Sequence, residues 1–103
     1  MYKISFYVPE SHLELVKNAL FSAGAGKMGL YDCCAWQSMG QGQFRALEGS
    51  QPFLGQLNQL EKVVEYKVEL VCSRERLRAA IQALKASHPY ETPAYDVIEV
   101  LDV

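Results

Sequence analysis

The segment that decides the fold is "VVEYKVELVCSRERLRAAIQALKASHPYETPAYDVIEV", residues 63–100. Its first ten residues alternate between apolar and polar side chains, which predicts a half-buried strand. Apolar residues then recur at the spacing of one helical face: Leu77, Ala80, Ile81 and Leu84. Ser73 precedes this helix as a predicted N-cap, and Pro89 prevents it from continuing. The run "AYDVIEVLDV" predicts a last strand, so this half of the chain is strand, helix, strand.

The N-terminal part repeats the order. "YKISFYV", residues 2–8, alternates cleanly and predicts a strand that ends at Pro9. Ser11 and Glu14 have the spacing of a capping box, which predicts the start of a helix. Gly24 is the expected stop of that helix, because glycine readily adopts the left-handed conformation that follows a helix.

The segment between the two halves, residues 30–49, is strand-like and contains Gly40 and Gly42, where we expect a hairpin or a bulged bend. The pattern also allows an extra short strand around Gln43 to Leu47. The order β-α-β-β-α-β predicts one α+β domain over residues 1–103, a ferredoxin-like sandwich with two helices on one face of an antiparallel sheet. The last strand has apolar residues on both faces, so we expect another subunit to cover the open face.

Composition narrows the function classes. Ten basic and twelve acidic residues are mixed along the chain, and without a basic patch a nucleic-acid partner is not expected. No apolar run is long enough for a membrane span, and the N-terminus is unlike a signal peptide, so we expect a cytoplasmic protein. Cys33, Cys34 and Cys72 lack zinc spacing and are expected to be buried free thiols on strands.

Three separated motifs resemble a known family: "GAGKMGLYDCCAWQSMGQGQF", "EGSQPFLG" and "HPYETPAYDV". They are similar to the domain inserted in bacterial members of the Nif-three-like family, also called YqfO-like. The HPYE turn is also similar to that of the CutA proteins, small trimers with a PII-like fold. The resemblance implies a free-standing version of the insert, with a CutA/PII-like fold and a homotrimer. Larger members carry two metal ions on a flanking domain, and with only His12 and His88 here that hydrolase centre is not carried over.

His88, Tyr90 and Glu91 form the first candidate site. They contact a ligand in one interpretation; in the other they only build a turn, with Tyr90 packing and the other two bonding nearby backbone. In the turn interpretation we expect Pro89→Ala to weaken stability or assembly more than His88→Ala.

Gly24, Gly26 and Lys27 form the second candidate site, as an anion cradle or as no more than a helix stop. By analogy with PII-like trimers, both loops are expected at clefts between subunits.

The first function hypothesis is therefore a non-enzymatic trimeric module that acts by assembly, by contact with a protein partner, or by sensing a small anionic ligand. It has no catalytic residues and no cofactor. The alternative is CutA-like divalent metal binding by His88, Glu91 and a cysteine. A Nif-three-like hydrolase is disfavoured because its metal ligands are absent.

Overall fold

Four strands and two helices follow one another in the predicted order. The computed structural model describes residues 1–103. The elements are β1 (Tyr2–Pro9), α1 (Leu13–Ser22), β2 (Trp36–Arg45), β3 (Leu60–Cys72), α2 (Arg74–Ser87) and β4 (Tyr95–Glu99), with a 3-10 turn over Glu10–His12. Neither helix is long and apolar enough to cross a membrane.

The strands form one antiparallel sheet in the spatial order β2-β3-β1-β4. β1 lies between β3 and β4. The connection through α1 leads from β1 to β2, past the position of β3, and the connection through α2 leads from β3 to β4, past β1. Both helices pack on the same face. The predicted ferredoxin-like arrangement is confirmed, and its second face carries no element of this chain.

The core lies between the sheet and the helices. β1 contributes alternate residues, and those of β3 on the same face continue the layer, as the alternation predicts. The fully or almost fully buried side chains are Ile4, Phe6, Val8, Leu13, Val16, Leu20, Val68, Leu70, Cys72, Ala80 and Leu84. Burying a side chain such as Phe6 stabilises the fold by roughly 1.5–3 kcal/mol.

Both ends of α1 were expected from sequence, and only one is confirmed. The predicted capping box is wrong: a 3-10 turn follows Pro9, so α1 begins at Leu13. The Ser11 hydroxyl lies 2.8 Å from His12 Nδ1 instead of bonding a helix amide. At the other end Gly24 has φ +105°, and the Ala25 N–H donates to the Leu20 carbonyl at 3.1 Å, which ends the helix as predicted.

The predicted bend at Gly40 and Gly42 is wrong. β2 runs straight through both glycines and pairs with β3 along its whole length, so the proposed short strand after Gly42 is simply the end of β2. Gly42 has a different reason to be glycine: a Cβ there would collide with the Glu65 carboxylate of β3. β4 is shorter than predicted, since pairing ends at Glu99.

Candidate functional site

His88 is the buried centre of the HPYE turn, with 7% of its surface exposed. The Tyr90 N–H donates to its Nδ1 at 3.1 Å, so the proton must sit on Nε2, which donates to the Tyr7 carbonyl at 2.7 Å. The Tyr7 N–H donates to the carbonyl of Ala94, the residue before β4, so the imidazole bonds a carbonyl of β1 at the point where its pairing with β4 begins. Burial lowers the pKa of His88 below its ordinary value of 6.5. Both nitrogens are therefore occupied by backbone groups, as the turn interpretation predicts.

Tyr90 reaches from the same turn to the open face of the sheet. Its hydroxyl donates to Glu65 Oε2 at 2.8 Å, and its ring lies 4.9 Å from that of His88. The missing side chain at Gly42 leaves room for the Glu65 carboxylate. Burial raises the pKa of Tyr90, and the carboxylate of Glu65 raises it further, so the hydroxyl keeps its proton and stays a donor.

Glu91 joins the turn to the loop between β2 and β3. Its Oε2 accepts the Gln51 N–H at 2.9 Å. In the same loop Phe53 packs against Tyr90, with ring centroids 6.1 Å apart, and edge-on against His12 at 5.5 Å. The HPYE turn, the loop between β2 and β3, and the 3-10 turn that contains His12 therefore meet at this end of the sheet.

Sequence reasoning missed three residues of this site: Phe53, Glu65, and Phe44, whose ring lies 6.4 Å from that of Tyr90. For Glu65 the available indication was Gly42, because a glycine within a strand pattern often marks the close approach of another group. Their mutual positions depend on tertiary packing, and no spacing in the sequence encodes it.

The second candidate loop has its glycine amides already bonded. The Gly24 N–H donates to the Phe21 carbonyl at 3.0 Å, and the Gly26 N–H donates to the Val71 carbonyl at 2.8 Å. Gly26 has φ +78°, and a Cβ there would lie 2.9 Å from the Phe21 ring and from the Cys34 carbonyl. Of the three candidate residues Gly24, Gly26 and Lys27, only Lys27 is exposed. This geometry favours the helix-stop interpretation over an anion cradle.

The two candidate loops contact β3 at separate positions, one near its C-terminal end and one near its middle. One contacts the strand at Val71 and the other at Glu65. Six residues of extended strand separate these positions, roughly 20 Å. A single chain therefore does not bring Gly24, Gly26 and Lys27 together with His88, Tyr90 and Glu91.

The open face of the sheet has a charged centre and an apolar rim. Lys3 and Lys67 both contact the Glu69 carboxylate, at 3.1 and 3.0 Å. Hydrogen bonds from Lys67 and Lys3 lower the pKa of Glu69, and the same bond raises the pKa of Lys67. Trp36 and Ile98 flank this triad with 62% and 54% of their surfaces exposed.

The cysteines were expected to be buried on strands, and only Cys72 meets this prediction. Cys33 is exposed with φ +55° and Cys34 is half-buried, and both precede β2. Cys72 is buried, and burial raises the pKa of its thiol. No three His, Cys, Asp or Glu side chains converge into a group that could hold a metal ion.

Comparison with solved structures establishes the class of fold. No family model matches the chain. The PII-like protein CutA from a Nostoc species superposes with a TM-score of 0.68 at 17% identity, over 97% of this chain and 81% of its own. At that identity the likeness establishes the fold, so the predicted CutA/PII-like architecture is confirmed.

Two further comparisons identify the relatives. A Bacillus subtilis protein named GTP cyclohydrolase 1 type 2 homolog is 44% identical over 98 residues, which are 95% of this chain and 26% of that protein. The solved Bacillus cereus protein related to NIF3 superposes with a TM-score of 0.80 at 40% identity, over 93% of this chain and 24% of its own. The predicted resemblance to the Nif-three-like family is confirmed, and the chain spans about a quarter of the length of these relatives.

Proposed function

We propose that this chain is a non-enzymatic assembly module that forms a homotrimer through the open face of its sheet and binds a small ligand. The observation that carries the proposal is the open face itself. Trp36 and Ile98 leave large apolar surfaces on a side of the sheet that no element of this chain covers. Exposed aromatic and aliphatic side chains around a polar centre are typical of protein interfaces.

The ligand part of the proposal concerns the turn at Tyr90 and Glu91, where only one oxygen of the Glu91 carboxylate is bonded, by the Gln51 N–H. The glycine loop contacts β3 roughly 20 Å away, and the amides of Gly24 and Gly26 are already bonded, so it is not part of that site. His88 serves the fold in this proposal, because its two nitrogens already bond Tyr7 and Tyr90.

Enzymatic activity is not part of the proposal. The name of the relatives refers to whole proteins about four times as long as this chain. A metal-binding role for His88 would require breaking its bond to Tyr7 or to Tyr90, because each ring nitrogen is already bonded.

The assembly can be tested by one pair of variants. Trp36→Lys places a charge on the open face, and Leu15→Lys places one on α1, at a side chain of similar exposure, 62% against 58%. We expect size-exclusion chromatography with light scattering to show a trimer for the wild type and for Leu15→Lys, and a monomer for Trp36→Lys. A trimer that persists in Trp36→Lys, or one that both variants disrupt equally, would contradict the proposed interface.

A further inference from the structure

A small cavity lies where the HPYE turn meets the loop between β2 and β3. Its volume is about 180 Å³, and three aromatic rings line it: Phe44, Phe53 and Tyr90. The ring of Tyr90 is tilted by 49° against Phe44 and by 48° against Phe53, with centroids 6.4 and 6.1 Å away. Rings inclined in this way surround a common space instead of stacking on one another.

The charge around this cavity is negative. Glu91 lines it, and only Oε2 of that carboxylate is engaged, by the Gln51 N–H. Behind Tyr90 lies Glu65, whose carboxylate accepts the phenol hydrogen bond. No lysine, arginine or histidine lines the cavity. Donating to a carboxylate makes the Tyr90 ring richer in electrons, which strengthens its attraction for a cation.

The aromatic walls are held in place by the protein's own contacts. Tyr90 is fixed by Glu65 and by its N–H bond to His88, and Phe53 is supported edge-on by His12. Phe53 is 46% exposed, so the cavity is reached from solvent along this ring. A site whose walls are fixed before binding loses little conformational entropy when a ligand enters.

We propose that this cavity binds the alkylammonium group of a small organic cation, such as a quaternary ammonium or a methylated amine. Such a group is attracted to the faces of aromatic rings, and the Glu91 carboxylate would neutralise its charge. An anion would meet two carboxylates instead. The proposal rests on the small-ligand part of the proposed function and names its ligand class, and it does not require the trimer.

A matched pair of probes isolates the charge. Choline and 3,3-dimethylbutan-1-ol have nearly the same shape, but only choline is positively charged. We expect NMR titration up to about 50 mM, a range that covers the millimolar affinities of such small ligands, to shift resonances of Phe53 and Tyr90 with choline. We expect the neutral alcohol to bind at least about fivefold more weakly, because it lacks the attraction between the cation and the rings.

Two variants test the residues. Phe53→Leu removes one aromatic wall from an exposed loop, and we expect it to weaken choline binding at least about threefold. Phe21→Leu makes the same exchange at a ring that packs against the core and does not line the cavity, and it should leave the affinity unchanged. Glu91→Gln keeps an oxygen acceptor for the Gln51 N–H while removing the charge, so we expect it to weaken choline binding and leave that of the alcohol unchanged.

Equal affinities for choline and the alcohol would overturn the proposal, as would unchanged choline binding in Phe53→Leu. Absence of any choline response would overturn it too. Titrating both the wild type and Trp36→Lys separates this result from the assembly proposal. Choline binding by a wild type that is not trimeric contradicts only the assembly, and a trimer that ignores choline contradicts only the cation site.

Discussion

The two faces of the sheet use the same strands for different purposes. On the helix-covered face, Phe6 and Val68 face each other across β1 and β3 and are fully buried. One residue further along, Tyr7 and Lys67 form the next pair, which belongs to the open face with Trp36 and Ile98. Because side chains alternate along a strand, one set of positions stabilises the folded chain and the other remains available to a partner.

Matched truncations on the two faces should give the largest difference. In the Trp36→Lys background, where assembly does not contribute, we expect Phe6→Ala to lower the free energy of unfolding by about 3–5 kcal/mol, because it leaves a cavity in the core. Ile98→Ala should change it by less than about 0.5 kcal/mol. Urea denaturation followed by circular dichroism measures both. Comparable losses would show that the open face also stabilises the isolated chain.

In the HPYE turn, substituting His88 should lower the stability of the protein more than substituting Pro89. The sequence favoured the opposite ranking. His88→Ala removes the partners of the Tyr7 carbonyl and the Tyr90 N–H, at a cost of about 2 kcal/mol. Pro89→Ala chiefly adds freedom to the unfolded chain, at less than about 1 kcal/mol.

Thermal melts of both variants test this ranking, with His88→Asn as a control. Asparagine can still accept the Tyr90 N–H near the position of Nδ1, so part of the loss should be recovered. If Pro89→Ala proves the more damaging change, the stiffness of the turn outweighs the hydrogen bonds of the imidazole.

A smaller effect is expected from pH. Burial lowers the pKa of His88 below 6.5, so the unfolded chain binds a proton that the folded chain resists. The contribution of His88 to the free energy of unfolding should therefore be constant above about pH 6.5 and should decrease as the pH falls below that value. His88→Ala should remove this slope between about pH 7 and pH 5.5. An identical slope in that variant would assign the effect to another group.

The parts of the fold that depend on alternation and helical periodicity could be predicted from the sequence. β1, α2 and the face shared by Val68 and Leu70 follow from local pattern, and the order of elements then leaves few arrangements. Gly42 was misinterpreted because the sequence does not distinguish a glycine that forms a turn from a glycine that makes room for a neighbouring side chain. Only the position of Glu65 distinguishes them.

The candidate site was predicted only in part. His88, Tyr90 and Glu91 were identified because prolines mark the turn, and a turn between two elements is a local feature. Phe44, at the end of β2, and Phe53, in the loop that follows, contact Tyr90 from distant positions in the sequence, and no local pattern predicts such contacts. The ability of the glycine loop to bind an anion was overestimated, because the sequence does not show that the amides of Gly24 and Gly26 are already bonded.

Native mass spectrometry of the freshly purified protein, without chelator, tests most directly whether the open face is an interface between copies. It reports the number of subunits and any bound mass in one spectrum. We predict a species of three 11.6 kDa chains, which Trp36→Lys converts to single chains. A wild-type spectrum that contains only single chains at micromolar concentration would contradict the account, because the exposed Trp36 and Ile98 would then have no partner copy to cover them.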